Sequence, residues 1–166
     1  SNHDHSRFLT RTNRRVGRVS YAGAQAASEN INTAIMREAI AIQMTWPGAP
    51  TLYYGDEAGV CGFTDPDNRR TYPWGHEDME LLNFYKTMIA IHKKYKMLRS
   101  GSLKFLWNDY QGLCYARFSH TEQMIIVVNN RDEGRDVMIE VWPAGIIRLE
   151  ETVFTRLVQS SKEGYT

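Results

Sequence analysis

The period of the apolar residues changes once along the chain, near Ser100-Gly101, and that switch decides most of what the sequence can fold into. Before it, Ile31, Ala34, Ile35, Ala39 and Ile42 recur at three- and four-residue steps, with Ser28 placed to cap the start and Pro47-Gly48 to stop the run. That spacing predicts an amphipathic helix. Leu81, Leu82, Tyr85, Met88, Ile89, His92 and Tyr95 mark one face of a second helix over 78–97, with acidic residues at its start and lysines at its end, as the helix dipole favours. Between them, Thr51 to Tyr54, closed by Gly55, reads as a short buried strand. After the switch come short β-prone runs: Leu103 to Trp107, Leu113 to Phe118, Met124 to Val128, Val137 to Val141 and Ile146 to Leu149. Turn residues such as Asn108-Asp109, Asn129-Asn130 and Glu133-Gly134 separate them, which predicts an antiparallel sheet. The chain therefore reads as α/β plus all-β, with residues 1–100 and 101–166 as its two domains and most of 1–27 as loop.

Composition narrows the function. Twenty Lys and Arg against 19 Asp and Glu leave a net charge of +1 over 166 residues, which gives no whole-chain reason to expect a nucleic-acid partner. No stretch approaches the roughly 18 apolar residues of a membrane helix. Cys61 and Cys114 stand far apart without ligand spacing, so neither a zinc ribbon nor a disulfide scaffold is expected, and no metal or cofactor is expected. The N-terminal residues lack the pattern of a secretory signal, and the compartment, cytoplasmic or secreted, stays open.

Three clusters could carry chemistry, and each has a plain structural reading beside it. Asn2-His3-Asp4 can turn an amide, an imidazole and a carboxylate toward a polar ligand, or simply be a solvated loop. The arginines at 7, 11, 14, 15 and 18 could grip phosphates, yet no aromatic residues are interleaved with them, which favours a solvated basic face. Asp65-Pro66-Asp67-Asn68-Arg69-Arg70 offers carboxylates and guanidinium forks in a proline-fixed turn, suited either to sugar hydroxyls or to internal salt bridges. Trp74 could stack on a sugar or pack beside Pro73. Asp56-Glu57 reads as loop support rather than an acid/base pair.

Three stretches, in order and spacing, resemble the α-amylase superfamily of glycoside hydrolases, and in particular its neopullulanase, cyclomaltodextrinase and maltogenic amylase branch. Ser1 to Phe8 (SNHDHSRF) resembles the motif after the seventh strand of the family's (β/α)8 barrel. Gly48 to Glu57 (GAPTLYYGDE) resembles the motif around the eighth strand, and Gly62 to Trp74 (GFTDPDNRRTYPW) the loop beside the donor end of the sugar cleft. The helix over 78–97 is similar to the eighth barrel helix, and the strands after 102 to the small β-sandwich that follows it.

The resemblance implies the last part of a (β/α)8 barrel followed by a small antiparallel β-sandwich, incomplete at its polar C-terminal end. A whole barrel takes roughly 250 residues. The family's aspartate nucleophile and glutamate acid/base lie on earlier strands, so the expected molecule is the C-terminal part of a longer enzyme and inactive by itself. By resemblance Asp4 is the third catalytic carboxylate, His3 donates nearby, and Asp65 and Arg69 bind the neighbouring sugar unit. The expected partner is an α-glucan or maltooligosaccharide, without nucleic acid or membrane. An unclosed barrel and an open sheet edge leave self-association into a homo-oligomer open. The alternatives are a non-catalytic carbohydrate-binding or structural module and, more remotely, a nucleic-acid binder using the arginine run.

Overall fold

A computed structural model describes residues 1–14, 17–131, 133–145 and 152–160. They fold as two compact units, each made from two stretches: residues 1–40 with 50–89, and residues 41–49 with 90–166. The change of period at Ser100-Gly101 lies inside the second.

In the first unit the segment read as loop carries three single turns, α1 (Phe8–Arg11), α2 (Val19–Ala22) and a 3-10 turn over Gln25–Ser28. Helix α3 (Thr33–Thr45) follows, its residues from Ala41 onward belonging to the second unit. Its cap is not Ser28, which closes the preceding turn. Asn32 does the work, its Oδ1 accepting from the amides of Ala34 at 2.9 Å and Ile35 at 3.2 Å. The buried ridge is also rotated from the expected one: Met36, Ile40 and Met44 are buried whereas Ala34 is exposed. Apolar residues surround this helix on several sides, so hydrophobicity alone could not choose its face. Residues 51–54 form no strand, because among the described residues no neighbour pairs with them; Tyr54 spends its carbonyl on an arginine instead. Helix α4 (Met79–Lys94) begins where Asp78 Oδ1 accepts from the Leu81 amide at 3.0 Å, and it buries Leu81, Tyr85 and Met88 as the spacing predicts.

The second unit contains α5 (Met97–Ser100) and a three-stranded antiparallel sheet, β1 (Ser102–Asp109), β2 (Gly112–Phe118) and β3 (Gln123–Asn129), in the order 1-2-3. The strands run through Asn108 and Asp109, and the turn falls at Tyr110-Gln111, where Asp109 Oδ1 accepts from the Gln111 amide at 2.8 Å. A bulge interrupts β1 between Phe105 and Trp107. Tyr115, Ile126 and Val128 are the centre of one face, packed against Leu103, Leu113, Met124 and Ile42. Arg117 is the keystone. Its buried guanidinium donates to the carbonyls of Thr45, Met97, Gly101 and Ser102, at 2.6 to 3.3 Å. A cation placed on helix-terminal carbonyls satisfies acceptors that a helix leaves unpaired. Tyr115 OH lies 2.5 Å from Thr45 Oγ1 and its ring meets Trp46 edge-on at 5.4 Å.

Val137 to Val141 does not form the expected strand. Alternate residues turn inward, but among the described residues no ladder pairs them, and the segment ends in a 3-10 turn over Trp142–Ala144. The expected strand at Ile146 to Leu149 lies outside the described residues, as do Arg15 and the C-terminal residues 161–166.

Candidate functional site

The polar residues of the first unit separate into those that are buried framework and those that face outward. Arg7 is 0% exposed, which overturns its reading as part of a solvated basic face. Its Nε donates to the Asn68 carbonyl at 2.8 Å, and its Nη1 donates to the Tyr54 carbonyl at 2.5 Å and to Asp56 Oδ1 at 3.0 Å. The guanidinium also lies over the rings of Tyr53, at 4.0 Å, and Tyr54, at 4.8 Å. Arg11, Arg14 and Arg18 are exposed as expected. Asp56 is buried, in the supporting role that its sequence position suggested. Burial, together with the charges of Asp56 and Glu57, pushes the Tyr85 hydroxyl's pKa well up, so this phenol stays neutral.

Asn68, also fully buried, ties the loop to the N-terminal segment by donating to the carbonyls of His5 at 2.8 Å and Asn2 at 3.3 Å. Gly62 makes this approach feasible. Its amide donates to Thr10 Oγ1 at 2.8 Å and its carbonyl accepts from the Arg7 amide at 2.9 Å. A Cβ there would come within 2.5 Å of the Asp67 carbonyl oxygen. Nothing in the sequence marks Arg7 or Asn68 as buried framework; the one available signal is their place inside two of the quoted motifs.

Upon this framework the Asn2 side chain accepts from the amides of Asp4 at 3.0 Å and His5 at 3.1 Å, folding a tight turn. The turn leaves the His3 and Asp4 side chains 61% and 66% exposed, with His3 Nε2 3.4 Å from Asp4 Oδ1. In the loop, Asp67 is structural: its Oδ2 accepts from the Phe63 amide at 2.7 Å, and both its oxygens pair with Arg70. Asp65 and Arg69 form an ion pair with each other, and both are half exposed. Arg69 Nη2 also donates to the His3 carbonyl at 3.4 Å. The bond to Asp65, first, and the charge of Asp4, among smaller contributions, hold the Arg69 pKa above its ordinary value. All four residues anticipated as a site, His3, Asp4, Asp65 and Arg69, thus meet at one surface of one unit. The internal Asp65 to Arg69 salt bridge is present as well. Because an exposed pair of this kind contributes little to stability, its groups can be shared with a polar ligand at small cost.

Trp74 is 80% exposed and leans on Tyr72, ring centroids 4.5 Å apart. Cys61 and Cys114 are both buried, which raises their thiol pKa values, that of Cys114 to about 11. Among the described residues no group of three or more His, Cys, Asp or Glu could hold a metal ion, and no helix is long and apolar enough to cross a membrane.

No protein-family model matches the chain. An amylopullulanase from Thermoanaerobacter thermohydrosulfuricus is 35% identical over 136 residues, covering 71% of this chain and 9% of that protein. A cyclomaltodextrinase from Thermoanaerobacter pseudethanolicus is 34% identical over 139 residues, covering 82% of this chain and 21% of that protein. In structure, the debranching enzyme of Nostoc punctiforme superposes with a TM-score of 0.61 at 31% identity, covering 76% of this chain and 23% of that one; it has also been solved after a soak with acarbose. The chain thus spans less than a quarter of the length of each of these proteins. What it matches is a region of enzymes named amylopullulanase, cyclomaltodextrinase and debranching enzyme. The chain belongs to the α-amylase family and corresponds to its C-terminal region.

Proposed function

We propose that this chain is the C-terminal part of a retaining glycoside hydrolase that cleaves α-glucosidic bonds in starch-derived oligosaccharides, cyclodextrins or pullulan. Residues 1–100 are then the end of its (β/α)8 barrel and 101–166 its β-sandwich. The observation that carries the reading is the meeting of the exposed His3-Asp4 pair with the half-exposed Asp65-Arg69 pair, joined by the bond from Arg69 to the His3 carbonyl.

Hydrolysis with retention passes through an oxocarbenium-like state, and hydrogen bonds to the reacting sugar that tighten in that state lower the barrier. Asp4 accepts from secondary hydroxyls of the sugar being cleaved, and His3 donates to the same region. Asp65 and Arg69 hold the neighbouring unit through one acceptor and a rigid donor fork. The buried framework of Arg7, Asp56 and Asn68 keeps these groups in place before substrate arrives, so little reorganisation is needed during reaction. The nucleophile and the acid/base come from a preceding part of the enzyme, and the 166-residue chain alone releases no reducing sugar.

The test is kinetic. In the longer enzyme Asp4→Asn lowers kcat on maltotriose by about 10²–10³-fold, equivalent to about 3–4 kcal/mol by analogy with a lost oxyanion donor. A variant within about threefold of wild type, or hydrolysis by the 166-residue chain itself, overturns the assignment.

A further inference from the structure

The arginine run at 14–18 has no part in the proposed chemistry, and its last member borders a depression of about 400 Å³ in the first unit. Thr64, Asp65, Pro66 and Arg69 line one side of it, and Arg18 and Val19 the other. We infer that this depression is a further sugar-binding subsite, in which Arg18 holds the α-glucan unit next along from the one at Asp65 and Arg69. The inference rests on the proposed function, which places a sugar at those two residues, and extends it to a residue outside the motifs that carried the resemblance.

Two contacts fix the walls relative to each other. Gly17, directly before Arg18, lies so close to the buried Phe63 ring that a Cβ there would come within 2.8 Å of it. On the other side Arg70 grips Asp67 and reaches across to donate to the Ala24 carbonyl at 2.6 Å. The chain on both sides of α2 and the 63–70 loop are therefore held as one surface.

The lining has the mixed character that a pyranose ring requires. Val19 and Pro66 offer apolar surface to the ring's C–H groups, Thr64 a hydroxyl, Asp65 an acceptor and Arg69 a donor fork. Among the described residues the Arg18 guanidinium has no hydrogen-bond or ion-pair partner, and the residue is exposed. Its planar fork is thus free to donate to two vicinal hydroxyls at once, a geometry that the single ammonium of a lysine does not reproduce.

The experiment measures binding of maltotriose and maltopentaose to the 166-residue chain by NMR titration, for wild type, Arg18→Ala, Arg18→Lys and Asp65→Asn. Arg18→Ala is expected to weaken maltotriose and maltopentaose alike by about tenfold, the loss of a charge-assisted hydrogen-bond fork, because three units already reach from Asp4 past Asp65 and Arg69 to Arg18. Arg18→Lys recovers only part of the loss, whereas full recovery would mean that charge alone matters and would overturn the fork. Wild-type affinity for maltopentaose in Arg18→Ala rejects the subsite. If Asp65→Asn still weakens both sugars in that case, the placing of a sugar at Asp65 survives alone. If neither variant matters, or wild type binds neither sugar saturably, the inference falls, while the kinetics of Asp4→Asn judge the proposed function separately.

Discussion

Replacing Arg7 by methionine tests whether the buried framework is organised as described. The substitution keeps an unbranched side chain of similar length and removes the charge, three hydrogen bonds and two ring contacts. Breaking a buried ion pair by deleting one partner costs about 3–5 kcal/mol, chiefly because the other charge stays buried without compensation. Asp56 loses its guanidinium partner, so the loss should be about 3–5 kcal/mol. At roughly 2–4 °C per kcal/mol for a chain of this size, Tm should drop by about 6–20 °C. The assay is thermal unfolding by circular dichroism, with urea midpoints as a check on whether the two units melt together. Arg7→Met combined with Asp56→Asn removes both charges and should recover about 1–2 kcal/mol relative to additivity. A single variant within about 1 kcal/mol of wild type, or a double variant equal to the sum of the singles, would refute the reasoning.

Arg117→Lys should cost about 2–3 kcal/mol in urea unfolding, since one ammonium cannot serve four buried carbonyls at once; an unchanged midpoint would deny Arg117 its keystone role. The hydrogen bond from Arg135 lowers the Asp109 pKa from 3.8 to about 2. A lowered folded-state pKa contributes stability above the unfolded value and loses it as pH falls toward the folded one. The stability advantage of wild type over Asp109→Asn should therefore hold above pH 4 and shrink between about pH 4 and 2. Carboxyl NMR titration should place Asp109 near its ordinary value in Arg135→Gln, and a value still near 2 would exclude that cause. Both thiols, buried and raised in pKa, should resist alkylation at pH 8 in the native chain and react after urea is added. Rapid native labelling of either would contradict the burial.

The order of helices followed by short strands, the hairpin strands β1 to β3 and the end of α3 could be read from the sequence, because period, turn chemistry and prolines act over a few residues. The pairing of Asn2-His3-Asp4 with Asp65 to Arg69 could not be read from spacing, and it was anticipated only through resemblance to a family. Tertiary structure alone decided which charged residues became framework. Arg7 and Arg18 belong to one arginine run, yet one is enclosed by two tyrosines and a carboxylate while the other stands free at the rim of a depression. Asp67 and Asp65 sit two residues apart, one holding a loop amide and Arg70 and the other facing outward. Residue type sets what a side chain can bond to, whereas burial, which decides whether that bond is structure or a site, depends on contacts between segments some 60 residues apart.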